Sequence, residues 1–221
     1  MNPARQLQVS CLLLACSAMA LLCGCSSLLP KPVAPPTLYT LTASAAPSAG
    51  GDRTPDDLTL IVNAPLAAAG FASARMVYVR QTRQIEHFAH SEWVDTPARM
   101  LAPLLVGTLA RHSVARAVVA DSSAASGDLR LHTELLRLQQ NFESQPSRVQ
   151  FSLRATLLDE ASHQVLAVRE FEASAAAPSD DPAGGAVAAS SAAQQVLVAL
   201  AGFCQQAGQQ WRAEHPRRPT P

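Results

Sequence analysis

This sequence has few charges, few aromatic residues and almost no lysine. Of its 221 residues, 15% are charged and 5% are aromatic, and Lys31 is the single lysine. The 17 basic and 17 acidic residues give a net charge of zero. A protein that binds nucleic acid needs a basic face to neutralise phosphates, so this composition argues against a nucleic-acid partner. The hydrophobic content of 48% argues against wholesale disorder and is sufficient for the core of one domain.

Recognisable catalytic motifs are also missing. The chain after residue 25 contains no G-x-S-x-G, no P-loop, no H-E-x-x-H and no C-x-x-C. Glu134 with Glu143, and Asp159 with Glu160, could serve as paired carboxylates in acid–base chemistry. Such pairs occur in nearly every domain as solvated groups. We therefore predict no catalytic and no cofactor-binding residue, and we expect the chain not to be an enzyme.

Potential metal ligands cluster in one short segment, which holds Glu86, His87, His90 and Glu92. His87 and His90 are three residues apart in a segment that is predicted to be extended, so their side chains point to opposite faces. No second group of ligands accompanies them. We predict no metal site, and we expect these histidines at the solvated ends of strands.

The N-terminal apolar run is too short to cross a membrane as a helix. Residues 11–22 follow a polar stretch whose single charge is Arg5, whereas a spanning helix needs about 20 apolar residues. A short apolar run with small residues behind it is typical of a secretory signal peptide.

The run ends in Leu22-Cys23-Gly24-Cys25, which resembles the bacterial lipoprotein box. The resemblance implies cleavage between Gly24 and Cys25, an S-diacylglycerol on Cys25 and a third acyl chain on its amine. Three chains anchor firmly, because each buried CH₂ contributes about 0.8 kcal/mol. No aspartate follows Cys25, which favours the outer over the inner membrane. The alternatives are a box ending at Cys16, a signal peptide without lipid, and an uncleaved anchor.

The rest of the chain divides by composition. Prolines between residues 30 and 36 prevent a helix and favour an extended tether. The predicted segments are a signal peptide over 1–24, a lipidated cysteine and Pro-rich tether over 25–37, one domain over 38–212, and a disordered tail over 213–221.

Alternating strand patterns and two helix patterns fill the domain. Strands are predicted at 37–41, 58–62, 75–80, 84–88, 116–120, 128–141, 148–158 and 164–173, and helices at about 95–112 and 181–212. The last three strands read as a meander. Asp95 or Thr96 is predicted to cap the first helix, with Pro97 in its first turn. This order predicts a single α+β domain, a mostly antiparallel sheet packed by two main helices.

Periodicity also predicts which side chains are buried. Leu104 and Leu105 lie on the apolar stripe of the first helix, and the stripe of the second runs from Val187 through Cys204 to Trp211. Cys204 is predicted to be a small buried residue, because a lipidated Cys25 leaves it no partner within the chain. Trp93 and Trp211 are predicted to be packing residues. Three arginines are expected on the solvent-facing side of successive strands: Arg130, Arg154 and Arg169.

Several segments of the mature chain occur in a definite order. The box and tether precede Leu38-Tyr39-Thr40-Leu41, then Leu60-Ile61-Val62 running to Pro65, then paired strands at 76–80 and 85–88, then Glu92-Trp93-Val94-Asp95-Thr96-Pro97 before a Leu-rich helix. This order resembles the ABC-type transport auxiliary lipoprotein component family, the PqiC-like intermembrane transport lipoproteins. Relatives often carry an aspartate and an arginine in the loop at 66–74; Arg75 matches the arginine, and the aspartate is absent.

The resemblance implies a non-enzymatic lipoprotein of the outer membrane that faces the periplasm and serves an MCE/ABC-type intermembrane lipid transport system. Its implied partners are an MCE-domain protein and the inner-membrane ABC permease and ATPase, with the lipid on Cys25 in place of a cofactor. The lipid, the direction of transport and a homo-oligomer are left open. The alternatives are an assembly factor for another envelope complex and a lipid-anchored periplasmic hydrolase.

Overall fold

The computed structural model describes residues 34–43, 58–123 and 126–215, which contain nine strands, two α-helices and one 3-10 turn at Ala69–Phe71. The strands are β1 Thr37–Tyr39, β2 Thr59–Val62, β3 Leu66–Ala67, β4 Arg75–Val79, β5 Glu86–Trp93, β6 Ala117–Ala120, β7 Leu129–Asn141, β8 Arg148–Asp159 and β9 Val165–Ala176. The helices are α1 Pro97–Arg111 and α2 Pro182–Glu214. All of these elements belong to the unit Pro36–Pro221, whereas the unit Met1–Pro35 lies almost wholly outside the described residues.

The strand β7 organises the sheet. On one side it pairs antiparallel with β8, which pairs antiparallel with β9. On its other side it pairs in parallel with β2, β3 and β4 in succession along its length. Beyond these, β6 extends β2 in parallel, β5 pairs antiparallel with β4, and β1 lies parallel beside β5. The α+β prediction is confirmed: the sheet is mixed, and its two longest ladders are antiparallel.

The alternation predicted for β7 holds as far as its bulge. Leu129, Leu131 and Leu135 are buried at odd positions, as expected for a strand with one face toward the core. The register with β8 shifts between Leu135 and Arg137, so that the buried positions become even from Leu138 onward. One extra residue in a strand moves every following side chain to the other face.

The helix α2 is a core helix of the domain. Among the described residues it is the one helix long and apolar enough to span a membrane, yet 56% of its most apolar stretch is buried inside the domain. It packs on β8 and β9, and the Asp181 carboxylate caps it by accepting the Gly184 N–H at 2.7 Å. One expectation was wrong: Val187 lies off the buried stripe and is 60% exposed. The helix ends at Glu214, close to the expected end at about residue 212.

The helix α1 begins as expected at Pro97 with Thr96 as its N-cap residue, but neither candidate side chain caps the helix. The Thr96 side chain makes no capping hydrogen bond, and Asp95 Oδ1 accepts the N–H of Thr96 rather than one inside the helix. Leu105 is fully buried, whereas Leu104 is half-buried at the edge of the core.

Candidate functional site

The predicted lipidation site lies outside the described residues. Cys25 and the predicted cleavage between Gly24 and Cys25 therefore remain predictions.

The His and Glu residues of β5 do not converge. Glu86 accepts a hydrogen bond from the Tyr78 hydroxyl at 2.8 Å, and His90 is exposed. The pKa of His87 is lowered, first by burial and second by the positive charge of Arg75. Within the described part of the chain, no group of three His, Cys, Asp or Glu side chains could hold a metal ion.

Asp159 and Glu160, one of the candidate acid–base pairs, form hydrogen bonds and an ion pair with other side chains. Asp159 Oδ1 accepts the N–H and hydroxyl of Ser162 at 2.6 and 2.8 Å, and Oδ2 accepts Nε1 of Trp211 at 2.6 Å. These bonds lower the pKa of Asp159, with the Ser162 backbone N–H as the largest cause. Glu160 faces Arg130, which lowers its pKa by hydrogen bonding. A general acid needs a pKa near the working pH, so neither group is tuned for that role.

Glu134 and Glu143, the other candidate acid–base pair, also take part in structural contacts. Glu134 forms an ion pair with Arg154 at 3.1 Å. The pKa of Glu143 is lowered chiefly by the hydroxyl of Thr82, which donates to it at 2.7 Å, and then by Asn141. Glu134 and Glu143 thus have separate partners.

The predicted packing residues do pack. Cys204 is 1% exposed, and burial raises the pKa of its thiol to about 12, so almost no thiolate forms at neutral pH. Trp93 is buried, and half-buried Trp211 stacks on His215 with ring centroids 4.6 Å apart.

Two of the three arginines lie on the sheet face away from the helices; the third, Arg169, is exposed as expected but lies on the other face. Arg154 bridges Glu134 and Glu170 across three strands. Arg169 instead lies opposite buried Ala155, on the helix side, where its guanidinium lies 5.0 Å from the ring centroid of Phe203.

A groove of about 760 Å³ opens between α1 and the ends of β2 and β6. The two parallel strands end together, because Val62 pairs with Ala120 in register, and α1 packs against β6. Aliphatic side chains dominate the lining: Val62, Ala64, Ala102, Pro103, Val106 and Ala120. The volume lies within the range of about 300–1,000 Å³ that is usual for ligand sites.

Polar residues gather where the two strands end at the groove. Asn63, Asp121 and Ser122 line it there. Asn63 and Asp121 directly follow the last residues of their strands, and Ser122 comes next. Arg130 of β7 reaches this point, donating to Asn63 Oδ1 at 2.7 Å and to Asp121 Oδ1. The same guanidinium donates two hydrogen bonds to the Glu160 carboxylate, at 2.6 and 2.7 Å.

We call Asn63, Asp121, Arg130 and Glu160 the rim cluster. The pKa of Arg130 is raised, first by Glu160 and then by Asp121, so its charge is permanent. One cation and two carboxylates give the rim cluster a formal charge of −1. Its ionised groups bond to one another through the Arg130 guanidinium.

The groove could not be predicted from the sequence because its walls come from segments that are far apart along the chain. Residues 62–64, 102–107 and 120–122 meet there through the parallel pairing of β2 and β6. The available signal was weak: two predicted strands each end in a polar residue, Asn63 and Asp121.

Comparison with known proteins agrees with this fold. Protein XCC0632 from Xanthomonas campestris, of the DUF330 family, is 23% identical with a TM-score of 0.72, and the match covers 80% of this chain and 99% of that one. An uncharacterized protein is 15% identical with a TM-score of 0.61, covering 77% and 99%. At these identities the two structures show the fold alone. No curated protein sequence matches the chain.

A family model gives more than the fold. The model described as ABC-type transport auxiliary lipoprotein component matches residues 39–201, which span most of the described domain. An auxiliary lipoprotein component is a membrane-attached accessory of a transport system. The chain belongs to the ABC-type transport auxiliary lipoprotein component family.

Proposed function

We propose that this protein is anchored through acyl chains on Cys25 to the periplasmic side of the outer membrane. There it acts as the non-catalytic auxiliary component of an MCE/ABC-type lipid transport system. The observation that carries the proposal is the family match over 39–201, preceded by the box ending at Cys25. Its partners in this proposal are an MCE-domain protein and the inner-membrane permease and ATPase.

The chemistry of the domain supports a docking role over a hydrolytic one. The carboxylates that could form acid–base pairs are engaged in ion pairs and hydrogen bonds, and the Cys204 thiol is buried. A net charge of zero gives little long-range steering, so we expect partner affinity to depend weakly on salt.

The anchor is tested by changing Cys25→Ala in the full chain and separating inner from outer membranes by density. We expect the variant to leave the outer membrane and to remain an uncleaved precursor or become soluble. Cys16→Ala is the matched control, because it removes the alternative box and should leave attachment intact. Attachment lost in Cys16→Ala but retained in Cys25→Ala would overturn the assignment.

The docking role is tested by recovering the lipidated protein from crosslinked envelopes and identifying its partners. We expect an MCE-domain protein and its ABC subunits, and no turnover in an esterase and peptidase screen. Hydrolysis that is lost on changing one Ser or His, without any transport subunit, would favour the hydrolase alternative. Subunits of an unrelated envelope machine would favour the assembly factor.

A further inference from the structure

We propose that the groove between α1 and the ends of β2 and β6 holds one acyl chain of an amine-bearing zwitterionic phospholipid, with the ammonium group at Asp121. This inference deepens the proposed function by assigning a lipid site to the auxiliary component itself. It rests on the lining, the volume and the charges of the groove.

The lining suits a flexible hydrocarbon chain. Its walls are aliphatic, and none of the described residues that line it is aromatic. Small side chains such as Ala64, Ala102 and Ala120 form much of the wall. Burying methylene groups against such walls is favourable. A volume of about 760 Å³ is ample for one chain.

The charges at the groove favour a head group with an amine. Arg130 contacts Oδ1 of Asp121, and the Asp121 side chain remains 48% exposed. The excess carboxylate of the rim cluster therefore attracts a cation and repels a purely anionic head group. The Arg111 guanidinium lies about 3.1 Å from where a side chain on Gly107 would begin and donates to the Thr108 hydroxyl at 3.0 Å, so a positive charge also lies beside the lining residue Gly107.

The test uses the whole mature chain, residues 25–221, secreted with Cys25→Ser so that no anchor lipid competes. The probes are lysophosphatidylethanolamine and lysophosphatidylglycerol with the same acyl chain, titrated below their micelle concentrations and followed by calorimetry and native mass spectrometry. We expect one lipid per chain and tighter binding of the ethanolamine lipid.

Two variants separate chain binding from head-group binding. Ala120→Trp fills the groove and should weaken both lipids about tenfold or more. Ala176→Trp is its matched control, an exposed alanine on another edge strand, and should leave both affinities unchanged. Asp121→Asn should weaken the ethanolamine lipid about two- to fivefold and leave the glycerol lipid no weaker. Glu172→Gln on β9 should alter neither.

Crosslinking to the unsubstituted chain locates the bound lipid even if the Ala120→Trp variant does not fold. A diazirine at the middle of the acyl chain should label peptides that contain residues 62–64 or 102–107. Absence of lipid binding, adducts confined to other peptides, or full affinity in a folded Ala120→Trp variant would overturn the inference. Capture of transport subunits without lipid binding refutes this site alone, whereas lipid binding without those subunits refutes the proposed function alone.

Discussion

Asp159 is a buried carboxylate that ties the β8–β9 turn to the C-terminal end of α2, and its replacement by asparagine should destabilise the domain. Its side chain accepts three hydrogen bonds: two from Ser162 on one oxygen, and one from Trp211 on the other. Asparagine has nearly the same shape but offers one oxygen and one NH₂ group. Whichever way the amide turns, its NH₂ faces an N–H that has lost its acceptor.

The magnitude follows from the bonds that are lost. Leaving a buried donor unsatisfied costs about 1–3 kcal/mol, and the lost carboxylate weakens the remaining bonds. We expect Asp159→Asn to lower the free energy of unfolding by about 1.5–3 kcal/mol. For a domain of this size, that corresponds to a fall in melting temperature of roughly 3–12 °C. Glu172→Gln is an exposed carboxylate-to-amide control and should stay within about 0.5 kcal/mol.

A double-mutant cycle isolates the Asp159–Trp211 bond. Trp211→Phe should cost less in the Asp159→Asn background than alone, with a coupling of about 0.5 kcal/mol or more in urea unfolding. Additive costs, or an Asp159→Asn melt no lower than the Glu172→Gln control, would refute the reasoning.

The same bonds set a pH dependence. The folded-state pKa of Asp159 is lowered, chiefly by the backbone N–H of Ser162. The stability that its ionised form contributes is present above the unfolded pKa of about 3.9 and is lost as the pH falls through the lower folded pKa. The difference between the natural chain and Asp159→Asn should therefore be constant near neutral pH and shrink below about pH 4.

Two further predictions use matched pairs. Leu105→Ala should cost about 2–5 kcal/mol because the side chain is fully buried, and Leu104→Ala clearly less because it is half-buried; equal costs in urea unfolding would contradict the packing of α1. Gly185→Ala should cost about 1–3 kcal/mol, since its methyl group would lie 2.2 Å from a buried glutamine oxygen, whereas Gly202→Ala meets open space and should stabilise by about 0.5–1 kcal/mol. Thermal melts of the two glycine variants should show shifts of the melting temperature with opposite signs.

The sequence predicted the elements well where one local rule decided them. The meander of β7, β8 and β9 followed from alternation, and α1 from Pro97 and its apolar stripe. Prediction was weaker at the margins of the apolar stripes. Val187 fits the helical period of apolar residues, yet it lies at the edge of the stripe and faces solvent. Arg169 is exposed as expected, yet it lies on the helix side of the sheet, where its guanidinium packs over the Phe203 ring.

The candidate site was beyond prediction because it depends on pairing between distant segments. Nothing local to Asn63 or Asp121 states that their strands lie side by side and in parallel. Arg130 shows the same difficulty: its alternation placed it correctly on the face away from the core, but its partners come from three different parts of the chain. Long-range parallel pairing leaves little trace in the pattern of any one segment.

The position of β7 sets an order in which the chain can fold. The turns from β7 to β8 and from β8 to β9 are short, and α2 follows directly, so these elements can assemble through contacts that are close in sequence. The segments β2, β3 and β4 each need β7, which is separated from them by dozens of residues, to complete their hydrogen bonds. Non-local pairings form late. During synthesis, the edges of β2, β3 and β4 that face β7 therefore stay unpaired until β7 has emerged, although β2 and β4 can already pair with β6 and β5 on their other edges.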